Sequence, residues 1–141
     1  MSSPSGFDEF HDYLTASWAE TDLVFENEDY DLPDIPTEFV YVEYVSDGSS
    51  QDTIGDPGNN EWLEGFGIYL HVMTPSGAGS QRARQIGGRL ALLFREQPLG
   101  AMWFRSISIG AGEPGRTFGN YFAMTVAISG DRRDITSQFN P

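Results

Sequence analysis

The stretch "EWLEGFGIYLHVMT", residues 61–74, alternates in a way that only an extended chain can use. Phe66, Ile68, Leu70 and Val72 fall on one side. Gly65, Gly67, Tyr69, His71 and Met73 fall on the other. A strand with one apolar face needs a sheet covered on a single side. The rest of the sequence offers both sheet and cover. "FVYVEYV" (39–45) is β-branched and aromatic throughout, and "DLVFEN" (22–27) reads as a short strand. "MWFRSISIG" (102–110) and "YFAMTVAIS" (121–129) are two more, the second with Phe122, Met124, Val126 and Ile128 facing one way. Phe7, Phe10, Leu14 and Trp18 mark one helical face over about 6–20. Ser5 is placed to cap it, and Asp8, Glu9 and Asp12 lie in its first turns, where the macrodipole favours anions. Ala83, Ile86, Leu90, Leu93 and Phe94 mark a second helix over about 79–96, ended by Gln97-Pro98.

The predicted order is α-β-β-β-α-β-β, with sequence neighbours in the sheet pairing antiparallel. The expected fold is α+β: a mainly antiparallel sheet of four to five strands with two helices packed on one face. Residues 1–141 form a single domain without internal repeats. Residues 1–5 and the polar tail 130–141 are expected to be flexible or ordered by a partner. Segment 28–36 is acidic and carries Pro33 and Pro36, so it reads as an extended loop. The polar, Gly-rich stretch 46–60 reads as a long loop, and so does 111–120.

Charge narrows the function classes. The net charge is -13, and every basic residue is Arg. Residues 1–64 carry 17 Asp and Glu and no Arg; residues 65–141 carry 4 Asp and Glu and 8 Arg. Such a chain is poorly suited to general nucleic-acid binding. An acidic part and a basic part suit either self-association or simply a solvated acidic surface. No apolar run reaches the roughly 20 residues of a membrane helix, so no membrane contact is expected. The opening "MSSPSGFDEF" lacks a basic n-region and an apolar h-region, and no secretion signal is expected. The absence of Cys excludes disulfides and thiolate chemistry.

The junction "MTPSGAGSQRARQIGG" resembles a phosphate loop only in outline. Gly77-Ala78-Gly79-Ser80-Gln81-Arg82 lacks the third glycine of a dinucleotide fingerprint, and a P-loop needs a Lys that the chain does not have. The better reading is a corner: Thr74-Pro75 ends the strand, Gly77 and Gly79 turn, and Ser80 caps the next helix. His11 and His71 lie on different elements and predict no metal site. The acidic loop 28–34 lacks the ligand spacing of an EF-hand. Glu26 and Glu28 form a carboxylate pair of a kind common in so acidic a chain. No serine sits in a nucleophile elbow. No enzyme activity and no cofactor are expected.

On the second helix, Arg82 and Arg89 share a face, while Arg84 and Arg95 project elsewhere. Gly87-Gly88 in mid-helix costs roughly 1 kcal/mol per residue against Ala. That suggests either close approach of a backbone, from this chain or a neighbour, or a tolerated surface pair. Arg82, Arg84, Gly87, Gly88, Arg89, Trp62, Asp52 and Asp56 are the candidate subunit-interface residues.

Several landmarks occur in a telling order. A helix with Phe10, Leu14 and Trp18 leads into "VFEN", then a Pro-containing loop, "FVYVEYV", a long polar loop and "GFGIYLHVMTPSGAGSQRARQIGGRLALLF". Over residues 7–94, and in the order of its last two strands, the chain resembles the tail-terminator (tail-completion) proteins of long-tailed bacteriophages. The resemblance implies a two-layer subunit that assembles as a six-membered ring on the tail tube protein. Such a ring stops tube polymerisation and meets the head-side connector protein. It implies a virion location at the head-proximal end of the tail, assembly in the host cytoplasm, no cofactor and no catalysis. DNA would pass through the ring without specific binding, and an acidic bore would repel its phosphates. Two expectations accompany it: the acidic half of one subunit meets Arg82 and Arg89 of the next, and loop 46–60 reaches a neighbouring ring. The alternatives are another neck protein (a head-completion or connector ring), an acidic DNA mimic that binds a nucleic-acid enzyme, and a small hydrolase.

Overall fold

The computed structural model describes residues 4–32, 35–77, 79–97, 99–110, 116–118 and 120–135. Expectations for residues 1–3, Pro33, Asp34, Ala78, Pro98, 111–115, Gly119 and 136–141 lie outside them. The elements in chain order are α1 (Pro4–Ser17), β1 (Asp22–Phe25), β2 (Phe39–Gln51), β3 (Glu61–Pro75), α2 (Gln81–Phe94), β4 (Met102–Ile109), β5 (Arg116–Phe118) and β6 (Tyr121–Ile135). The strands form one sheet in the order β1-β2-β3-β6-β4, with β5 also paired to β6. The fold is α+β, as the sequence predicts.

The register explains the core. Val42, Leu70, Val126 and Ile109 stand in one cross-strand row, and Tyr44, Ile68, Ile128 and Ile107 in the next. Onto these rows pack Phe10 and Leu14 from α1 and Ala83, Ile86, Leu90 and Phe94 from α2, all fully buried. Burial of each large side chain contributes about 2 kcal/mol before entropy is counted.

Several element bounds and pairings differ from expectation. β1 pairs parallel with β2. The connection 26–38 carries the chain back to the starting end of β1, so the return strand runs the same way. β1 ends at Phe25, short of the expected 22–27, and the turn after it holds Asn27 at a φ of 60°, which an Asn tolerates. α1 begins at Pro4, a residue pre-set for a first helical turn, so Ser5 lies inside the helix and Asp8 and Glu9 fall beyond the first turn. β2 runs on through Gln51, past a bulge between Ser46 and Gly48, so much of the predicted loop 46–60 is strand and the connection is 52–60. β6 likewise runs to Ile135, where a polar tail is predicted. Its Asp131, Arg132, Arg133 and Asp134 are held by pairing with Gly65, Glu64, Leu63 and Trp62 of β3. α2 begins at Gln81 after Gly77 and Gly79, which both take positive φ (89° and 81°) and make the corner. Ser80 occupies the cap position but its hydroxyl caps no amide; it accepts from Arg84 Nε at 3.2 Å. The helix ends where Glu96 takes φ 55°.

Candidate functional site

The arginines on and beside α2 divide into two groups. Arg82 Nε donates to both oxygens of Glu38 at 3.0 and 2.8 Å, and Arg89 Nη1 pairs with Glu20 at 2.6 Å. The acidic and basic parts of the chain therefore meet here within one chain, where Arg82 and Arg89 already hold carboxylates of their own. Glu38 pushes the Arg82 pKa further up. A shallow depression at this pair is lined by Glu20, Pro36, Thr37, Glu38, Pro75 and Arg82. Arg84 and Arg95 lie on the other flank of α2, both exposed, and neither pairs with a carboxylate among the described residues. Leu92, between the flanks, is 62% exposed.

The double glycine also divides. A methyl at Gly87 would stand 3.1 Å from Val126 Cγ2 and 3.4 Å from Ile109 Cγ2, so Gly87 lets α2 settle onto its own sheet. A methyl at Gly88 would meet nothing within 4 Å. Gly87 is therefore a packing residue of one chain, and Gly88 lies open on the surface.

The β2–β3 tip is tied down. Arg133 Nη1 reaches Asp52 at 3.5 Å and Glu61 at 3.3 Å, and its guanidinium lies 5.6 Å from the Trp103 ring centre. The Asp56 amide donates to Asn60 Oδ1 at 3.3 Å, and Ile54 stands 88% exposed nearby. Trp62 is half-buried beside this tip, opposite Gln51 and Asp134. Asp52, Asp56 and Trp62 thus share one end of the sheet, away from the α2 arginines.

The sheet face opposite the helices carries two features that the sequence reading missed. Val24, Phe39 and Tyr121 form a small buried cluster there, flanked by Tyr30, Tyr41 and Met73. Beside it, His71 Nδ1 lies 2.8 Å from Thr125 Oγ1 and His71 Nε2 lies 2.7 Å from Glu43 Oε1, with Tyr41 stacked on the imidazole. Hydroxyl, imidazole and carboxylate in a row have the outline of a nucleophile relay. Here Thr125 is only 8% exposed and sits opposite His71 in the middle of the β3–β6 ladder, whose amides serve the sheet. The row ties β2, β3 and β6 together. Glu26 and Glu28 also serve the backbone, accepting from the Tyr44 amide at 2.7 Å and the Phe25 amide at 3.0 Å.

A polar cluster lies under α1. Arg132, 6% exposed, reaches Asp134 at 2.8 Å and Glu9 at 3.4 Å. Glu64, its cross-strand neighbour, is 4% exposed and accepts from Ser46 Oγ at 3.3 Å. Burial raises the Glu64 pKa, against the Ser46 hydrogen bond and the Arg132 charge. Burial, with the Glu64 charge close by, also raises that of Tyr44. Glu9 Oε2, Tyr44 Oη, Glu64 Oε1 and Arg132 Nε have no hydrogen-bond partner among the described residues. No cluster of three or more metal-ligating side chains occurs among the described residues, and no helix there is long and apolar enough to cross a membrane.

No family model and no curated protein matches the chain. Chains of solved structures do match it. One of them, a protein whose name states no function, aligns with a TM-score of 0.54 at 20% identity, over 95% of this chain and 91% of that one. At that identity the likeness is one of fold.

Proposed function

We propose that this chain is a structural virion subunit that forms a ring at the head-proximal end of a phage tail tube, ends tube polymerisation and joins the tail to the connector. The observation that carries the reading is the order of landmarks along one two-layer subunit. It runs from α1 through the "VFEN" turn, the acidic Pro loop, the β2–β3 hairpin and the Pro-Ser-Gly corner to α2, then β4 and β6. That order is the one on which the resemblance to tail terminators rests. The sheet gives further support, because helices cover one face and leave Tyr69, His71 and Glu43 at least partly exposed on the other. The charge of -13 suits a passage through which DNA must slide without sticking.

The test is mass in solution, for the protein alone and then with purified tail tube protein. A hexamer in either setting, which also blocks further tube growth, is the expected result. A ring that binds the connector but never the tube would make the protein another neck component. A monomer or dimer that inhibits a DNA-binding enzyme would make it an acidic DNA mimic.

A further inference from the structure

Within a chain of charge -13, the outer flank of α2 is an exception. At 100° per residue, Arg84, Arg95, Gly88 and Leu92 fall within one quarter of the helix circumference. Arg82 and Arg89 lie on the far side of that exposed arc, bound to Glu38 and Glu20. Glu20 and Glu38 are therefore spent against one flank of α2, and Arg84 and Arg95 lie on the other. Between them stand exposed Leu92 and a Gly88 with open space above its Cα. The result is an apolar strip edged by two cations.

The complementary surface is on the same molecule, in the connection after β1. Asp29 and Asp31 are exposed, and beside them Leu32 is 59% and Ile35 80% exposed. This segment is anchored on the opposite side of the sheet. Tyr30 Oη donates to Asp22 Oδ2 at 3.1 Å, and its ring packs on Phe39 at 4.9 Å in the helix-free cluster. α2 packs over β3, β6 and β4 instead. Arg84 and Arg95 stand about 16 Å apart along the helix and Asp29 and Asp31 up to about 7 Å apart, a difference that two long Arg side chains cover by folding toward each other.

We infer that the Asp29–Leu32 segment of one copy, with Ile35, docks on the Arg84–Arg95 flank of α2 of the next copy, in a head-to-tail contact. Leu32 and Ile35 cover Leu92, and the aspartates pair with the free arginines. Two different patches on one subunit make the contact heterologous, the kind that closes into rings when its rotation permits. The inference rests on the proposed ring and names the surface that builds it.

Because the chain has no cysteine, disulfide trapping gives a clean test. Full-length Leu32→Cys and Leu92→Cys proteins, both altered at exposed sites, are mixed and mildly oxidised. A mixed L32C–L92C dimer is expected, with Ile54→Cys against Leu92→Cys as the silent control. Adding Arg84→Glu and Arg95→Glu to the L92C protein should weaken capture by about tenfold or more, and adding Asp29→Arg and Asp31→Arg to its L32C partner should restore it. Dominant L92C–L92C dimers would mean a two-fold contact and overturn the proposal. So would capture by the I54C protein equal to that by L32C. If the wild type forms rings but the mixed dimer never appears, this surface is wrong and the ring reading stands. A wild type that stays monomeric with and without tube protein removes the ring itself, and this interface with it.

Discussion

A methyl group added at residue 130 would press on the Trp103 carbonyl oxygen and stand 2.7 Å from Phe66 Cζ, where β4 bulges past β6. The first obstacle is backbone, which cannot rotate aside. Gly130→Ala is therefore expected to cost about 3 kcal/mol or more, as severe overpacking does, and chemical denaturation would measure it. Gly88→Ala is its opposite: open space and helical backbone predict a gain of up to about 1 kcal/mol by the same measurement. Glu64 gives a prediction in pH. Burial holds its folded pKa above the ordinary 4.5, so the native state keeps the proton more tightly than the unfolded chain. That stabilisation is complete below 4.5 and is lost as pH rises through the raised value. Glu64→Gln should remove this step, so the stability difference between wild type and variant should change across that window. Parallel curves at every pH would mean that Glu64 does not titrate differently on folding.

At the scale of elements, the apolar periodicity of 61–74, 39–45 and the two helices carried both the fold class and most of the core. The strand ends were not legible, for a physical reason. "SDGSSQ" at 46–51 and "DRRDI" at 131–135 have little strand propensity of their own. They are extended because β3 lies between them and supplies partners from distant sequence. The parallel β1–β2 pair was hidden likewise, since strand direction depends on the path of 26–38 rather than on any residue in it. The His71 row draws on Glu43, His71 and Thr125 from three strands, and no local spacing announces it. The double glycine was visible, but only packing separates a residue that fits α2 to the sheet from one that faces outward. The tip 52–60 yields an element-scale prediction. Shortening it between Ile54 and Gly58 should shift the melting temperature by only a few degrees, because loop closure depends weakly on length. On the proposed reading the shortened protein still fails to join tails, and an assembly assay with normal tail yield would remove that role.

For the whole molecule, acids and arginines are distributed in two ways. Some cross-link the subunit: Arg82 to Glu38, Arg89 to Glu20, Arg132 to Glu9 and Asp134, and Arg133 to Asp52 and Glu61. The exposed ones among them, at Arg82, Arg89 and Arg133, add only about 0.2–1 kcal/mol each, whereas Arg132 is buried. Others, Arg84 and Arg95 against Asp29 and Asp31, are left for a neighbour on the interface inferred above. Raising salt from about 0.1 M to about 1 M shortens the Debye length from about 10 Å to about 3 Å. The proposed ring should then loosen while the melting temperature of the single chain changes little, which light scattering and calorimetry on one sample would separate. The strand order carries one more consequence. β6 lies between β3 and β4, yet it is the last of the described strands along the chain. A nascent polypeptide halted before Tyr121 holds the β1-β2-β3 sheet and a lone β4 with no ladder between them, α2 lying over both β3 and β4, so the ribosome must deliver the joining plank after its neighbours are already waiting.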